Sequence, residues 1–247
     1  WQTPVSDVAV CLWDFEGSSG QAFAVAERAP IAIVDPVASV GMALGEVLTN
    51  LFAAPVASLQ EVKLCANWMA ASGEAGQDAA LYAAVEALAM DLCPRLGLSI
   101  PVGKDSLSMR AQWQRDDKMA SVVSPVSLNL TAVSSVQNVS ETWTPLLSDA
   151  PETVLILIDL GQGRQRLGGS VFAQTQGVFG GDPPDLDAPD QLVMLLDSLQ
   201  RARAANLVLS YHDRSDGGLI ACLCEMAFAS RCGLTINLDL LTVDPHS

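Results

Sequence analysis

Residues 206 to 229 set the strongest constraint on the fold. An apolar run, Asn206 to Tyr211, leads into His212-Asp213-Arg214-Ser215-Asp216, then a Gly217-Gly218 pair, then a helix-like run from Leu219 to Ala229. A strand that turns through carboxylates and glycines into a helix belongs to an α/β architecture. The same junction suits a metal-bound phosphate. Carboxylates can hold the cation, while glycines let the main chain and its free N–H groups approach the anion. The plainer alternative is a capped turn, with Ser215 or Asp216 as N-cap and no ligand.

Similar alternation runs through the rest of the chain. Residues Val5 to Leu12 read as a strand with Asp7 near its start. Ile31 to Val34 is a short apolar run, and Asp35-Pro36 then opens a helix expected over Val37 to Phe52, with Asp as N-cap and Pro at N1. Val62 to Met69 predicts a strand, and Asp78 to Leu96 a long helix capped by Asp78 and ended near Gly97. Leu98 to Val102 predicts a strand that breaks at Gly103 into a Lys-Asp-Ser loop. Two further strands are expected near Leu107 to Gln114 and Val122 to Val133. Thr142 to Glu152, rich in Pro, Thr and Ser, is the best linker. Beyond it, strands are expected at Val154–Leu160, Leu207–Ser210 and Leu234–Leu238. Helices are expected at Leu167–Gln176, Gln191–Ala204 and Leu219–Ala229. The expected organisation is two α/β domains, 1–145 and 146–247, the second truncated.

Composition narrows the function. Half of the 247 residues are hydrophobic and only 17% are charged, enough for a substantial core. No apolar run approaches the roughly 18 residues that span a bilayer. A net charge of −15 with scattered basic residues disfavours nucleic acid and favours divalent cations, and through them phosphates. The six cysteines (Cys11, Cys65, Cys93, Cys222, Cys224, Cys232) form no C-x-x-C pair, and most sit among apolar residues, as buried thiols of a reducing cytosol would. Two histidines leave little room for a His-based triad. The Trp-Gln-Thr-Pro start, without an initiator Met, suggests a piece of a longer protein.

Four groups of residues could carry chemistry. In Gly45-Glu-Val-Leu-Thr-Asn50, Glu46 and Asn50 stand at i and i+4 and share one helix face. A carboxylate and an amide carbonyl are hard oxygen ligands of the kind magnesium takes. The alternative is an ordinary polar stripe opposite Val47, Leu48 and Leu51. Asp7 and Asp213 add two carboxylates, and a cation would relieve their repulsion if the four residues converge. Pro101-Val-Gly-Lys-Asp-Ser-Leu-Ser-Met109 offers Lys104, Asp105 and Ser106 as a possible phosphate loop, although it lacks the P-loop pattern.

Taken in order and at these intervals, GEVLTN (45–50), KLCANWM (63–69), PVGKDSLSM (101–109) and YHDRSDGGL (211–219) resemble the phosphoribosylformylglycinamidine synthases of the large, single-chain bacterial type. AERAP (26–30), LGGSVFAQ (167–174) and EMAFASRCGL (225–234) extend the resemblance over essentially the whole chain. The resemblance implies an aminoimidazole-ribonucleotide-synthetase-like N-terminal domain followed by the start of its C-terminal partner domain, from the second of that enzyme's two related halves.

It further implies a cytoplasmic ligase of purine biosynthesis. In that reaction ATP activates the amide oxygen of formylglycinamide ribonucleotide and glutamine-derived ammonia displaces phosphate. An auxiliary site would hold ADP or ATP through Mg2+, with Asp7, Glu46, Asn50 and Asp213 as metal ligands and Ser6 and Ser215 on the nucleotide. The implied partners are the rest of the same chain: the first synthetase-like half, the glutaminase domain and the small N-terminal domain. Without them the piece is expected to be inactive and prone to homodimerise. Two other readings remain: a non-catalytic module with a permanently bound nucleotide, or another ATP-using member of the same superfamily.

Overall fold

A computed structural model describes residues 3–241, apart from the side chain of Leu240. Its centre is a five-stranded sheet in the order β1-β2-β7-β3-β4, formed by Ala9–Leu12 (β1), Gly20–Ala26 (β2), Lys63–Met69 (β3), Ser99–Ser106 (β4) and Ser127–Val136 (β7). All neighbours are antiparallel except β3 and β4. A parallel pair needs a long crossover, and here it is helical. It comprises α2 (Gln77–Glu86), a π-helical turn (Ala87–Leu92) and α3 (Cys93–Leu96). The π turn lies just ahead of Pro94, which has no N–H to give and whose ring crowds the carbonyl four residues back. Gly97, at φ 68°, ends the helix as expected. A separate hairpin pairs β5 (Arg110–Arg115) with β6 (Lys118–Val123).

The strand β2 was not anticipated, because its inward residues are the small Ala22, Ala24 and Ala26. Their smallness lets α1 (Pro36–Leu51) lie close against the sheet. Asp35 caps α1 as expected, accepting hydrogen bonds from the Val37 and Ala38 N–H groups at 2.8 and 3.1 Å. Val40, Leu44, Val47, Leu48 and Leu51 of α1 bury against Leu64, Leu128 and Leu130. Removing any one of these leucines would cost about 2–5 kcal/mol through lost burial and a residual cavity.

The second half packs onto this core through α5 (Pro189–Ala204), whose Leu192, Leu196 and Leu199 are buried in the same cluster. Arg203, near its end, donates to the carbonyls of Phe52, Ala53, Ala54 and Glu141, satisfying groups that the end of α1 leaves open. Its guanidinium stacks 3.5 Å above the Trp143 ring, which in turn stacks on Tyr211 at 5.7 Å. Trp143 and Thr144, expected in a linker, are thus part of the packing. The remaining helices are α4 (Val171–Thr175) and α6 (Gly218–Ser230).

Several expectations need correction. The strands expected at Val154–Leu160, Leu207–Ser210 and Leu234–Leu238 are not strands: among the described residues none of them forms a ladder with another segment. The first leaves Val154, Ile156 and Ile158 exposed. The run after Val122 divides into β6 and β7 around Pro125, and β1 begins at Ala9 rather than Val5. Ile31–Ile33 is a 3-10 turn. Asp78 is not an N-cap: it lies in the first turn of α2, and its carboxylate accepts from the Gly73 N–H. Only Cys93 and Cys222 are buried among the six free cysteines. His246 and the chain's last residues lie outside the described residues. No helix among the described residues is long and apolar enough to cross a membrane.

Candidate functional site

The segment 211–216 lies against α1 and the residues that precede β1. Tyr211 donates its hydroxyl hydrogen to the Thr49 carbonyl at 3.0 Å, and its own N–H bonds to the Thr144 carbonyl at 2.9 Å. With Tyr211 anchored, the next two residues meet Asp7. The His212 Nδ1 lies 2.8 Å from Asp7 Oδ1, and the Asp213 N–H donates to the same oxygen at 3.1 Å. The other face of the imidazole is braced by Glu225 of α6, with Nε2 to Oε2 at 3.0 Å. Ligand-type atoms of Asp7, His212 and Asp213 all fall within 4.8 Å of one another.

Glu46 and Asn50 share one face of α1, as their spacing predicted. Arg28, just after β2, reaches both sides: its guanidinium is 2.9 Å from Asp216 and 3.8 Å from Glu46. Five side-chain oxygens are buried with no hydrogen-bond partner among the described residues: Asp7 Oδ2, Glu46 Oε2 and Asn50 Oδ1, and, on β3 and α2, Asn67 Oδ1 and Gln77 Oε1. Leaving buried polar atoms unpaired is costly, about 1–3 kcal/mol each. Of these residues, Asp7 meets the 211–216 segment and Glu46 acts on the Asp213 carboxyl, so a ligand at that segment could satisfy them.

The electrostatics agree. Burial pushes the Asp213 carboxyl up to about 7, and the charges of Asp7 and Glu46 add to it while His212 opposes it. Burial likewise lifts Glu46 to about 7, with Arg28 opposing and Asp216 and Glu27 adding. Burial alone would lower His212, but the hydrogen bond and charge of Asp7, helped by Glu225 and Asp213, outweigh it and raise the imidazole to about 9. The Tyr211 phenol is held well above its usual range, chiefly by burial. Excess negative charge in a partly desolvated place, with one arginine and one histidine to balance it, is the environment in which a divalent cation gains most. Oxygen donors of this kind suit Mg2+ or Mn2+.

The structure thus brings Asp7 and Asp213 together and places Glu46 close enough to raise the Asp213 carboxyl. Ser6 and Ser215 flank the two aspartates in the chain, and both are exposed. Neither Ser215 nor Asp216 is the N-cap of α6. That position is held by Gly217 at φ 84°, with no side-chain cap. Lys104, Asp105 and Ser106 are not a loop either. They continue β4 past Gly103, which pairs with Ala66, and the Lys104 ammonium donates to the Ser106 hydroxyl at 2.6 Å. They sit at the sheet edge opposite β1, about 19 Å across at roughly 4.8 Å per strand. Arg28, His212 and Glu225 went unnoticed in the sequence. The available signal for His212 was its place beside Asp213 in the acidic turn.

Two family models match the chain. The FGAR-AT PurM N-like domain matches residues 1–135, and the AIR synthase related protein C-terminal domain matches residues 150–246. Thermotoga maritima PurL complexed with FGAR is similar in fold, with a TM-score of 0.60 at 12% identity over 93% of this chain and 35% of that one. The same organism's PurL complexed with ADP gives 0.59 at 11% identity over 92% and 32%. AaThiL complexed with AMPPCP and TMP gives 0.54 at 12% identity over 94% and 66%. This chain spans about a third of the length of the PurL structures it matches. At these identities the structural likeness establishes a shared fold: a mixed α+β chain with AIR-synthase-like N-terminal and C-terminal domains. With more than half of its residues matched by the first family model, the chain belongs to the FGAR-AT PurM N-like family.

Proposed function

We propose that this member of the FGAR-AT PurM N-like family is the second synthetase-like half of a phosphoribosylformylglycinamidine synthase, and that it carries a magnesium–nucleotide site. Asp7, Glu46, Asn50 and Asp213 would hold Mg2+, and Ser6 and Ser215 would meet an ADP or ATP phosphate chain. The observation that carries the reading is the meeting of Asp7 with Asp213, where Asp7 Oδ2 is buried without a hydrogen-bond partner and Glu46 is close enough to raise the Asp213 carboxyl. When bound, Mg2+ would neutralise and clamp phosphates rather than generate a nucleophile. The likeness to PurL complexed with ADP and to ThiL complexed with AMPPCP supports a nucleotide on this fold.

The chain's own residues do the rest of the binding. Asp7 and Asp213 present carboxylates from either side of one hydrogen bond. Glu46 adds a third from α1, and Asn50 a neutral oxygen one turn on. The start of α6 has no side-chain cap after Ser215, although the Gly218 N–H donates to the Ser215 carbonyl, and an anion there would be favoured by the helix dipole. Lys104, Asp105 and Ser106 stand apart from this cluster, so any phosphate they hold would be a different one. In the parent ligase, ATP would activate the amide oxygen of formylglycinamide ribonucleotide and ammonia would displace phosphate. That activity would need the first synthetase-like half and the glutaminase, which would pack on the outer face of the sheet. There the register aligns Val25, Thr131, Cys65 and Val102 across four strands, with Val25 and Val102 exposed.

Calorimetric titration of the purified chain with ADP, with Mg2+ or with EDTA, tests the site. Binding that requires Mg2+ is expected. ADP binding that is absent, or that is unchanged by EDTA, would overturn the assignment of the four oxygen ligands.

A further inference from the structure

We infer that His212 is the positioning residue of this site and not one of its metal ligands, and that Glu225 braces it from α6. The inference rests on the magnesium reading above and deepens it. His212 lies among groups that could all be ligands, and a ring nitrogen is a common one. Here both nitrogens are already committed. Nδ1 meets Asp7 Oδ1 at 2.8 Å and Nε2 meets Glu225 Oε2 at 3.0 Å, while the nearest other carboxylate, Asp213 Oδ1, is 4.0 Å away. Each nitrogen faces a carboxylate oxygen at hydrogen-bond distance, so a cation could reach either one only by displacing that contact.

The consequence falls on Asp7. Its Oδ1 takes two donors, the His212 ring and the Asp213 N–H, while its Oδ2 is buried and has none. The carboxylate is therefore divided: one oxygen is fixed by the protein, the other is left for a ligand. Water cannot replace the histidine easily, since its side chain is 6% exposed and that of Asp7 only 1%. Because the Asp213 peptide shares the same oxygen, the hydrogen bonds that orient Asp7 also register Asp213 beside it. Glu225, more exposed at 44%, completes the chain of contacts from α6 to the metal-facing oxygen. Outer residues of this kind typically change metal affinity about 10- to 100-fold when removed.

The test uses the 247-residue chain, with Mn2+ alone as probe and free Mn2+ measured by electron paramagnetic resonance at one fixed pH. Asparagine at 212 places an amide donor where Nδ1 stands, so it can hold Asp7 but not reach Glu225. Glutamine reaches the Nε2 position and abandons Asp7. His212→Ala and His212→Gln are expected to bind Mn2+ about 10- to 100-fold more weakly, with His212→Asn within about 3-fold of wild type and Glu225→Ala in between. If His212→Ala does not fold, the Asn and Gln variants still decide. Because an amide oxygen at 212 could itself ligate Mn2+, as Asn50 is proposed to do, rescue by asparagine supports the inference together with a pulsed electron paramagnetic resonance spectrum of the wild-type chain that shows no imidazole nitrogen bound to Mn2+; a bound-imidazole signal would overturn it. Wild-type affinity in His212→Ala, or rescue by glutamine and not asparagine, would overturn it while leaving the magnesium site standing. No Mn2+ binding by the wild-type chain would bring down the magnesium reading, and this inference with it.

Discussion

In the absence of divalent cation, Glu46→Gln is expected to stabilise this chain at pH 8 and to leave it nearly unchanged at pH 5. The Glu46 side chain is 19% exposed on α1, and burial lifts its carboxyl from 4.5 to about 7. A folded value above the unfolded one means that the fold prefers the protonated form. The stability contributed is intact below about 4.5 and is lost as pH rises through about 7. Ionising Glu46 in the folded chain then costs at most about 3 kcal/mol, at roughly 1.4 kcal/mol for each pH unit. Glutamine keeps the volume but gives up the attraction to Arg28, so the net gain at pH 8 is about 1–2 kcal/mol. Arg28 keeps its nearer partner, Asp216, at 2.9 Å. With Mg2+ and ADP the order inverts, because binding to the folded state adds RT ln(1 + [L]/Kd), about 2.7 kcal/mol at a hundredfold excess. That term needs the carboxylate. Urea unfolding at pH 5 and pH 8, with and without Mg–ADP, measures all four cases. If Glu46→Gln stays within about 0.5 kcal/mol of wild type in every one, the helix face is an ordinary solvated surface and the reasoning fails.

Arg203→Lys keeps the charge but loses the planar fork shared among four carbonyls and the stack on Trp143, and should cost about 2 kcal/mol in thermal or urea unfolding. A melting temperature equal to wild type would show that the α1–α5 junction does not depend on it. Supplied with ATP, ammonium and formylglycinamide ribonucleotide, the chain alone is expected to give no product in a steady-state assay, and turnover near that of a whole synthase would refute the half-site reading. Light scattering should show dimers or larger species through the outer face of the sheet, lessened by Val25→Lys; a monomer at all concentrations would count against that surface.

Two local signals in the sequence hold in the structure, although the caps expected at Asp78 and at Ser215 or Asp216 do not. The Asp35-Pro36 opening of α1 and the Gly97 stop after α3 depend only on a cap, a fixed φ and a left-handed residue, and both stand in the structure. Strands are different, since a strand exists only when another lies beside it. Val154 to Leu160 has the apolar, β-branched run of a buried strand, yet no neighbour among the described residues makes it one. Residues Gly20 to Ala26 carry weak apolar patterning but gain two partners, β1 and β7. Gly103 illustrates the converse error: read as a strand breaker, it lies inside β4 because β3 pairs through it, and Lys104 follows it into the ladder.

The site divides along the same line. The Glu46 and Asn50 pair was visible because helical spacing alone puts them on one face, and Asp213 because it sits in a turn with its own signature. What spacing could not supply was the meeting of Asp7 with a residue 205 positions later, which is a tertiary contact between His212 and the chain just before β1. Once that contact is known, the buried charge becomes intelligible as a whole. Burial raises the carboxyls of both Glu46 and Asp213 to about 7, and Glu46 adds to the shift at Asp213, so under the proposed magnesium reading both would change charge on cation binding. Arg28 opposes the shift at Glu46 and His212 opposes it at Asp213. Buried carboxylates of this kind give up stability once ionised, and the pH dependence of Glu46→Gln measures how much.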